Sequence, residues 1–446
     1  MNTDDYEHGV VPLDQRKPWL SIAAVWIAIG IDLSGAFLGI ALAGGMDFWA
    51  SIGATMLGSL LLGLLAMACA YVGVSTGFSS AMISRAVFGK IGGSVLALVI
   101  AVCLLGWFAV QAGFLGTNAQ MAWTELTGFD APSWIFTLIG GALMVLTALW
   151  GYRSISKLST LAVPLLLALL LLGVILAFVA RGTAGLDAPV EVVFTFGSAV
   201  SLVMGIFIMG VVLAPDMARW AKTPKHAMAA GFVGFFFGNS IIIVVAIVLA
   251  RVMEASELVT IYFMLGIGVI AIIVLILAQW TTNTTNIYSA ALSFSSLNGR
   301  LNRRTLTIIG GVVGTVIAVL GASDYFVPFI SAIGIIIAPF GGVYLAAFFT
   351  ERRTGRFDAG APIKTVHGWA IGAWILGILT ALAAANPADG LGLGLFTLTT
   401  IPSLDGIVVG FLAYLVIALI RRRNRGVYVP PVLKPADAEP AAEVVA

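Results

Sequence analysis

The sequence predicts an all-α polytopic membrane protein with twelve transmembrane spans, and three observations carry that prediction. Of 446 residues, 60% are hydrophobic and only 10% charged, a balance outside the range of soluble domains. The apolar residues form continuous runs and do not alternate with period two, which excludes a β-barrel. A spanning helix needs roughly 20 mainly apolar residues. Twelve such stretches follow one another at 19–44, 48–74, 92–120, 133–151, 158–180, 194–214, 226–250, 260–294, 305–321, 325–349, 367–386 and 401–420.

Residues 1–18 precede the first span as a polar, acidic tail with no short apolar core, so no removable signal peptide is expected. The segments between spans fix the orientation. If both termini are cytoplasmic, 21 of the 23 basic residues lie inside, including Arg16, Lys17, Arg85, Lys90, Arg219, Arg352, Arg356 and Lys364, and only Arg181 and Arg251 lie outside. The positive-inside rule selects that arrangement. The net charge of +2 then reflects topology, and no nucleic-acid partner is implied. RRRNR at 421–425 sits where lipid headgroups would hold the last span. The remainder of the 421–446 tail reads as disordered. Cys69 and Cys103 fall inside spans as small hydrophobes. His8, His226 and His367 are scattered through a tail and two loops and form no metal-ligand cluster.

A polar side chain at mid-membrane depth costs free energy and so calls for an explanation, either a bound ligand or a structural pairing with a neighbouring amide or hydroxyl. In span 1, Asp32 is the one acid near the centre of any span, set among Gly30, Gly35, Gly39, Gly44 and Gly45. Those glycines either weaken the helix so that carbonyls can turn to a ligand or allow close helix packing. Span 3 places Trp107, Gln111 and Phe114 on one stripe. Span 6 carries Gly197, Gly205 and Gly210 and ends at Pro215 and Asp216. In span 8, thirteen residues without a polar side chain, GIGVIAIIVLILA, run directly into QWTTNTTN. There Gln279, Thr282, Asn283 and Asn286 share one face at i, i+3, i+4 and i+7.

Glycine-interrupted spans 1 and 6 are five apart, as are spans 3 and 8. That spacing predicts two inverted five-helix repeats, about 19–180 and 194–349, with spans 1 and 6 broken at the midplane and spans 11 and 12 (367–420) added.

The chain resembles the nucleobase:cation symporter-1 family, and within it the bacterial cytosine and purine permeases. The resemblance covers roughly residues 10–420. It rests on VPLDQRKPW before span 1, YVGVSTGFSSAMISRAVFG after span 2, GWFAVQ in span 3, PDMARWAKTPKHA after span 6, FFFGNS in span 7 and WTTNTTNIYSAAL in span 8, in that order. It implies import of a planar nitrogen heterocycle driven by sodium or protons. By position it implies that Trp107 stacks on the ring, that Gln111 hydrogen-bonds it, and that Phe207 is a second aromatic. It further implies a sodium site of the Thr281 and Thr282 hydroxyls and the Ala278 carbonyl, faced by span 1 carbonyls around Ile31 and Ser34. Asn283 follows as a substrate-binding or site-ordering amide, and Asn286 lies on the same polar face. Two positions depart from the cytosine permeases: Leu104 stands where they carry a glutamine, and Asp32 where they carry an aromatic or small residue. Asp32 could pair with an amino-bearing ring, join the sodium shell, or be protonated in place of sodium coupling.

The chemistry agrees, because a base has two apolar faces and a donor–acceptor edge, and sodium takes oxygen ligands. The expectation is therefore a sodium-coupled (or proton-coupled) importer in a bacterial-type inner membrane, with no cofactor beyond the coupling ion and no obligatory protein partner. An amine transporter using Asp32 and an ion channel lined by span 8 are the alternatives. An enzyme is not expected, since no paired acids, metal cluster or activated nucleophile lies at membrane depth.

Overall fold

The structure, a computed structural model, describes residues 11–150, 152–297, 302–358 and 361–424. His8, Arg300 and the tail expected to be disordered lie outside the described residues. The helices in chain order are α1 (Trp19–Gly30), α2 (Leu33–Gly45), α3 (Phe48–Thr76), α4 (Ser80–Thr127), α5 (Ser133–Trp150), α6 (Tyr152–Arg181), α7 (Phe196–Val212) and α8 (Pro215–Ala218). They continue as α9 (Pro224–Met253), α10 (Leu258–Met264), α11 (Gly268–Leu297), α12 (Arg303–Val319), α13 (Phe326–Glu351), α14 (Gly368–Ala384) and α15 (Pro402–Asn424). Among the described residues there is no β-strand, only an isolated bridge between Lys17 and Ala221.

Each of the twelve predicted stretches falls on helix. Among the described residues, eight helices are long and apolar enough to cross a membrane, and up to nine crossings result if α1 and α2, bent by 55°, are one span. The 17-residue helices α7, α12 and α14 measure about 25 Å at 1.5 Å per residue, less than the ~30 Å hydrocarbon core. Span 8 differs from expectation. It is two helices, α10 and α11, parted where Gly266 takes φ 76°. Span 6 differs too, because α7 runs unbroken from Phe196 to Val212. Its glycines serve packing: a Cβ on Gly205 would stand 2.7 Å from the Ile330 carbonyl oxygen, and one on Gly197 would overlap that of Thr400. The chain leaves the helix only at Leu213 and Ala214, before α8.

Helix contacts sort the molecule into two groups. In one, α1, α2, α3 and α7 gather around α9 or one another. In the other, α4, α5, α11 and α12 pack together, and α6 touches both α9 and α11. The last helices, α14 and α15, attach to α13, which also lies on α7.

Main-chain and side-chain bonds tie the elements at one end. The Lys17 amide donates to Trp220 O at 2.7 Å and the Lys17 carbonyl accepts from Lys222 N at 3.1 Å. The Asp216 carboxylate accepts from Ser80 N at 2.7 Å and Ser80 Oγ at 2.6 Å at the start of α4, where a helix N-terminus favours negative charge. Arg356 donates to the carbonyls of Ala86 and Val87 at 2.7 and 2.9 Å, pairs with Glu351, and reaches the Tyr414 hydroxyl at 2.8 Å. These contacts grip α4 just before its kink at Gly89, φ 84°. At the opposite end, buried Arg251 ties α9 to the carbonyls of Met46 and Ala188.

His367 belongs to the basic-end clasp. It lies in the loop before α14, and its amide donates to Phe88 O at 3.0 Å. Burial, followed by the charges of Arg356 and Lys364, pushes its imidazole down to about 4. A histidine held below its usual value of ~6.5 contributes stability above that pH and loses it as pH falls through the folded value. The melting temperature of the detergent-solubilised protein should therefore drop between pH ~6.5 and ~4, and His367→Gln should flatten that drop.

Candidate functional site

The site begins where span 1 stops being a helix. Gly30 presses against α9 so closely that a Cβ would lie 2.7 Å from the Gly238 carbonyl carbon, and Gly35 and Gly39 meet Ile242 and Ile243 on the same helix. With one side of the span fixed this way, the chain turns. The Asp32 amide bonds Gly30 O at 2.9 Å and the Gly35 amide bonds Asp32 O at 3.0 Å. No amide of residues 32–35 closes a helical bond onto the carbonyls of 28–31. Freed backbone oxygens at this depth are tolerated only where protein or a cavity satisfies them.

The side chains at the break converge with α4 and α11. Gln111 Nε2 donates to Ser34 Oγ at 2.6 Å and, more weakly, to Asp32 Oδ2 at 3.4 Å. The hydroxyls of Ser34 and Thr282 both interact with the Asp32 carboxylate. Gln111 is 3% exposed, and its Oε1 is buried with no partner. Asp32 as a residue is only partly buried. One layer along, Asn118 Nδ2 donates to Gln279 Oε1 at 3.3 Å, which leaves Gln279 Nε2 buried and unpaired.

The hydroxyls of the WTTNTTN run divide sharply. Thr281, Thr284 and Thr285 bond back to the carbonyls of Ala278, Trp280 and Thr281 at 2.8, 2.6 and 3.1 Å, as hydroxyls in membrane helices commonly do. Thr282 instead turns to Asp32. The Trp280 indole donates to Thr147 Oγ1 at 3.0 Å, and Asn283 Nδ2 to Phe108 O at 2.9 Å. Asn286 rests on Asn283 Oδ1 at 3.4 Å. Much of this polarity therefore joins α11 to α4 and α5.

The structure thus brings Asp32, Ser34, Gln111 and Thr282 together, with Ile31 buried at the break and Thr281 beside the Ala278 carbonyl. Trp107 lies one turn from Gln111 on α4, its ring 5.1 Å from Phe329 and 6.3 Å from Phe326. Phe207 sits on α7 against Phe235 at 5.5 Å and makes no ring contact with Trp107. Beyond Gln111, towards the end away from the basic clasp, the Phe37 and Phe114 rings meet tilted at 4.0 Å and 31°, and Phe326 closes edge-on to Phe114 at 5.2 Å. The parts played by Phe37, Phe326 and Phe329 were not found from the sequence, because one aromatic among many apolar residues carries no positional signal until the helices are packed. Among the described residues, no group of three or more His, Cys, Asp or Glu could hold a metal ion.

A bent first span that gathers a carboxylate, an amide and a hydroxyl between two helix groups is the build of a multi-pass membrane transporter. Residues 11–401 match the permeases for cytosine/purines, uracil, thiamine and allantoin, and the chain belongs to that family. It is 30% identical to the cytosine permease of Escherichia coli strain K12 over 84% of its own length and 88% of that protein's. In fold it is similar to the inward-facing conformation of Mhp1, with a TM-score of 0.77 at 17% identity over 95% and 94% of the two chains. It is also similar to a second structure of Mhp1, a nucleobase-cation-symport-1 family transporter, in a closed conformation with bromovinylhydantoin bound, with a TM-score of 0.71 at 18% identity over 95% of each chain. The protein is a transporter and not an enzyme.

The commitment of Asn283 to the α4 backbone has a measurable consequence. Asn283→Leu removes the buried side-chain hydrogen bond that α11 makes to the Phe108 carbonyl and should cost about 1 kcal/mol, lowering the melting temperature in detergent. Asn286→Leu, at a partly exposed position, should leave it nearly unchanged.

Proposed function

We propose that the chain imports a nucleobase or a close heterocyclic relative, coupled to sodium, through a site at the break of span 1. One observation carries the reading: the break brings Asp32 and Ser34 onto Gln111, with Thr282 near Asp32, a turn from the buried indole of Trp107. The relatives named above, a cytosine permease and a hydantoin-bound transporter, handle ligands of that shape. In this reading the base stacks on Trp107 with Phe207 as the facing aromatic, and its edge meets Gln111 and Asp32. Asn283 orders the α11 side of the site through its bond to α4, and Asn286 lines its margin.

Sodium is assigned to the hydroxyls of Thr281 and Thr282, the Ala278 carbonyl and the carbonyls freed around Ile31 and Ser34. These oxygens suit a hard cation. Twelve crossings, both termini in the cytoplasm of a bacterial-type inner membrane, and two inverted repeats complete the proposal. Alternating access then comes from movement of the α1–α3, α7 and α9 group against the α4, α5, α11 and α12 group. The cluster of Phe37, Phe114 and Phe326 must part to admit substrate from outside. The presence of Asp32 favours one competing reading, transport of a cationic amine paired with its carboxylate.

The test is uptake of labelled cytosine into proteoliposomes under an inward sodium gradient, with adenine, guanine, uracil, hydroxymethylpyrimidine and small amines as competitors. Sodium-dependent uptake blocked by bases and not by amines is the expected result. Uptake blocked by amines alone, or indifferent to sodium, would overturn it. Thr282→Ala should raise the sodium concentration needed for half-maximal uptake while leaving the order of competing bases intact. Trp107→Ala should weaken base binding by on the order of tenfold to a hundredfold, the worth of one aromatic–base stack.

A further inference from the structure

The way Gln111 is held says which edge of the ligand it can read. An amide side chain ordinarily offers two donors and an acceptor. Here both Nε2 directions are taken, one by Ser34 Oγ at 2.6 Å and the other by Asp32 Oδ2 at 3.4 Å. What remains is Oε1, an acceptor, buried with the residue at 3% exposure and matched by nothing in the protein. Its neighbour across the shared Nε2 is the Asp32 carboxylate, which when ionised is an acceptor only and which belongs to a residue that is only partly buried. At the break of span 1 the protein therefore presents two adjacent acceptors and no free amide donor.

We infer that the ligand presents two neighbouring N–H donors to Asp32 and Gln111: a ring N–H flanked by an exocyclic amino group. Guanine carries this edge as a neutral molecule, and cytosine or an aminopyrimidine acquires it on ring protonation. Uracil and hypoxanthine, whose ring N–H lies beside a carbonyl or a bare C–H, lack it. The inference rests on the proposed binding of a base at this site and adds a selectivity to it. A ligand without the second donor leaves a buried acceptor unpaired, which costs about 1–3 kcal/mol and corresponds to roughly tenfold or more in affinity. A site built to pair a polar group discriminates more strongly against an analogue lacking it than any apolar pocket can.

Guanine and hypoxanthine differ only in the exocyclic amino group, so equilibrium binding of these two bases to the purified full-length protein, with sodium present, is the test. Guanine should bind at least about tenfold tighter. Asp32→Asn puts an amide in place of the carboxylate, and it should remove most of that difference by weakening guanine and sparing hypoxanthine. Equal affinities in the unaltered protein, or a guanine preference that survives Asp32→Asn, would overturn the inference while leaving base transport standing. Should the variant fail to fold, the comparison in the unaltered protein decides alone. Cytosine read through its protonated ring should gain affinity relative to guanine as the pH falls below neutral. A pH-independent cytosine affinity equal to that of guanine would also count against the paired-donor edge. Failure to bind any of these bases would overturn the transport reading itself.

Discussion

Everything at the centre of this protein depends on one turn of backbone that is not a helix. A chain crossing hydrocarbon must satisfy its amides and carbonyls internally, and span 1 gives up that satisfaction between Gly30 and Gly35. The sacrifice is held in place from behind, where the Gly30 and Gly238 backbones meet without room for a side chain. It is answered from the front by Gln111 and Thr282. Without the glycine contact, span 1 would stand away from α9. Without the polar side chains opposite, the break would face the bilayer core unpaired.

The polar run of α11 makes sense from the same turn. Trp280 and Asn283 fasten α11 to α5 and α4, and three threonines satisfy themselves on their own helix. That leaves Thr282 to reach across to span 1. A rigid α4–α5–α11 surface facing a broken span is a reasonable way to make a site that two helix groups share, since either group can move only by remaking contacts at the break. The two ends of the molecule carry their own restraints. Arg356 and His367 hold the start of α4 at the basic end, and the tilted pair of Phe37 and Phe114 lies at the other side of the site.

Much of this was legible in the sequence, for reasons of physics. Long apolar runs are imposed by the bilayer, so the helices fall where hydropathy puts them. Asp32 and Gln111 stood out because polar groups at mid-membrane depth are costly, and the structure brings the two together. Span 6 misled because glycine has two uses, and a sequence cannot say which applies. Gly205 and Gly197 allow α13 and the Thr400 loop to come close, whereas Gly30 marks a real break. Span 8 misled because Gly266 and Gly268 are flanked by apolar residues, which hid the turn between α10 and α11. Asn283 and Thr282 look equally polar on one helix face. Only the packed neighbours show that the first is spent on α4 and the second turned to Asp32. The ring partners of Trp107 come from α13, more than two hundred residues away in the chain, and no local pattern could have named them.

The central claim is that a base lies at the break of span 1, and the most direct measurement is to locate a heavy-atom-labelled one. Anomalous diffraction from the protein with a brominated nucleobase bound in sodium should place the bromine beside Trp107, with the ring edge on Asp32 and Gln111. A single strong bromine site elsewhere, away from Asp32 and Trp107, would contradict the claim.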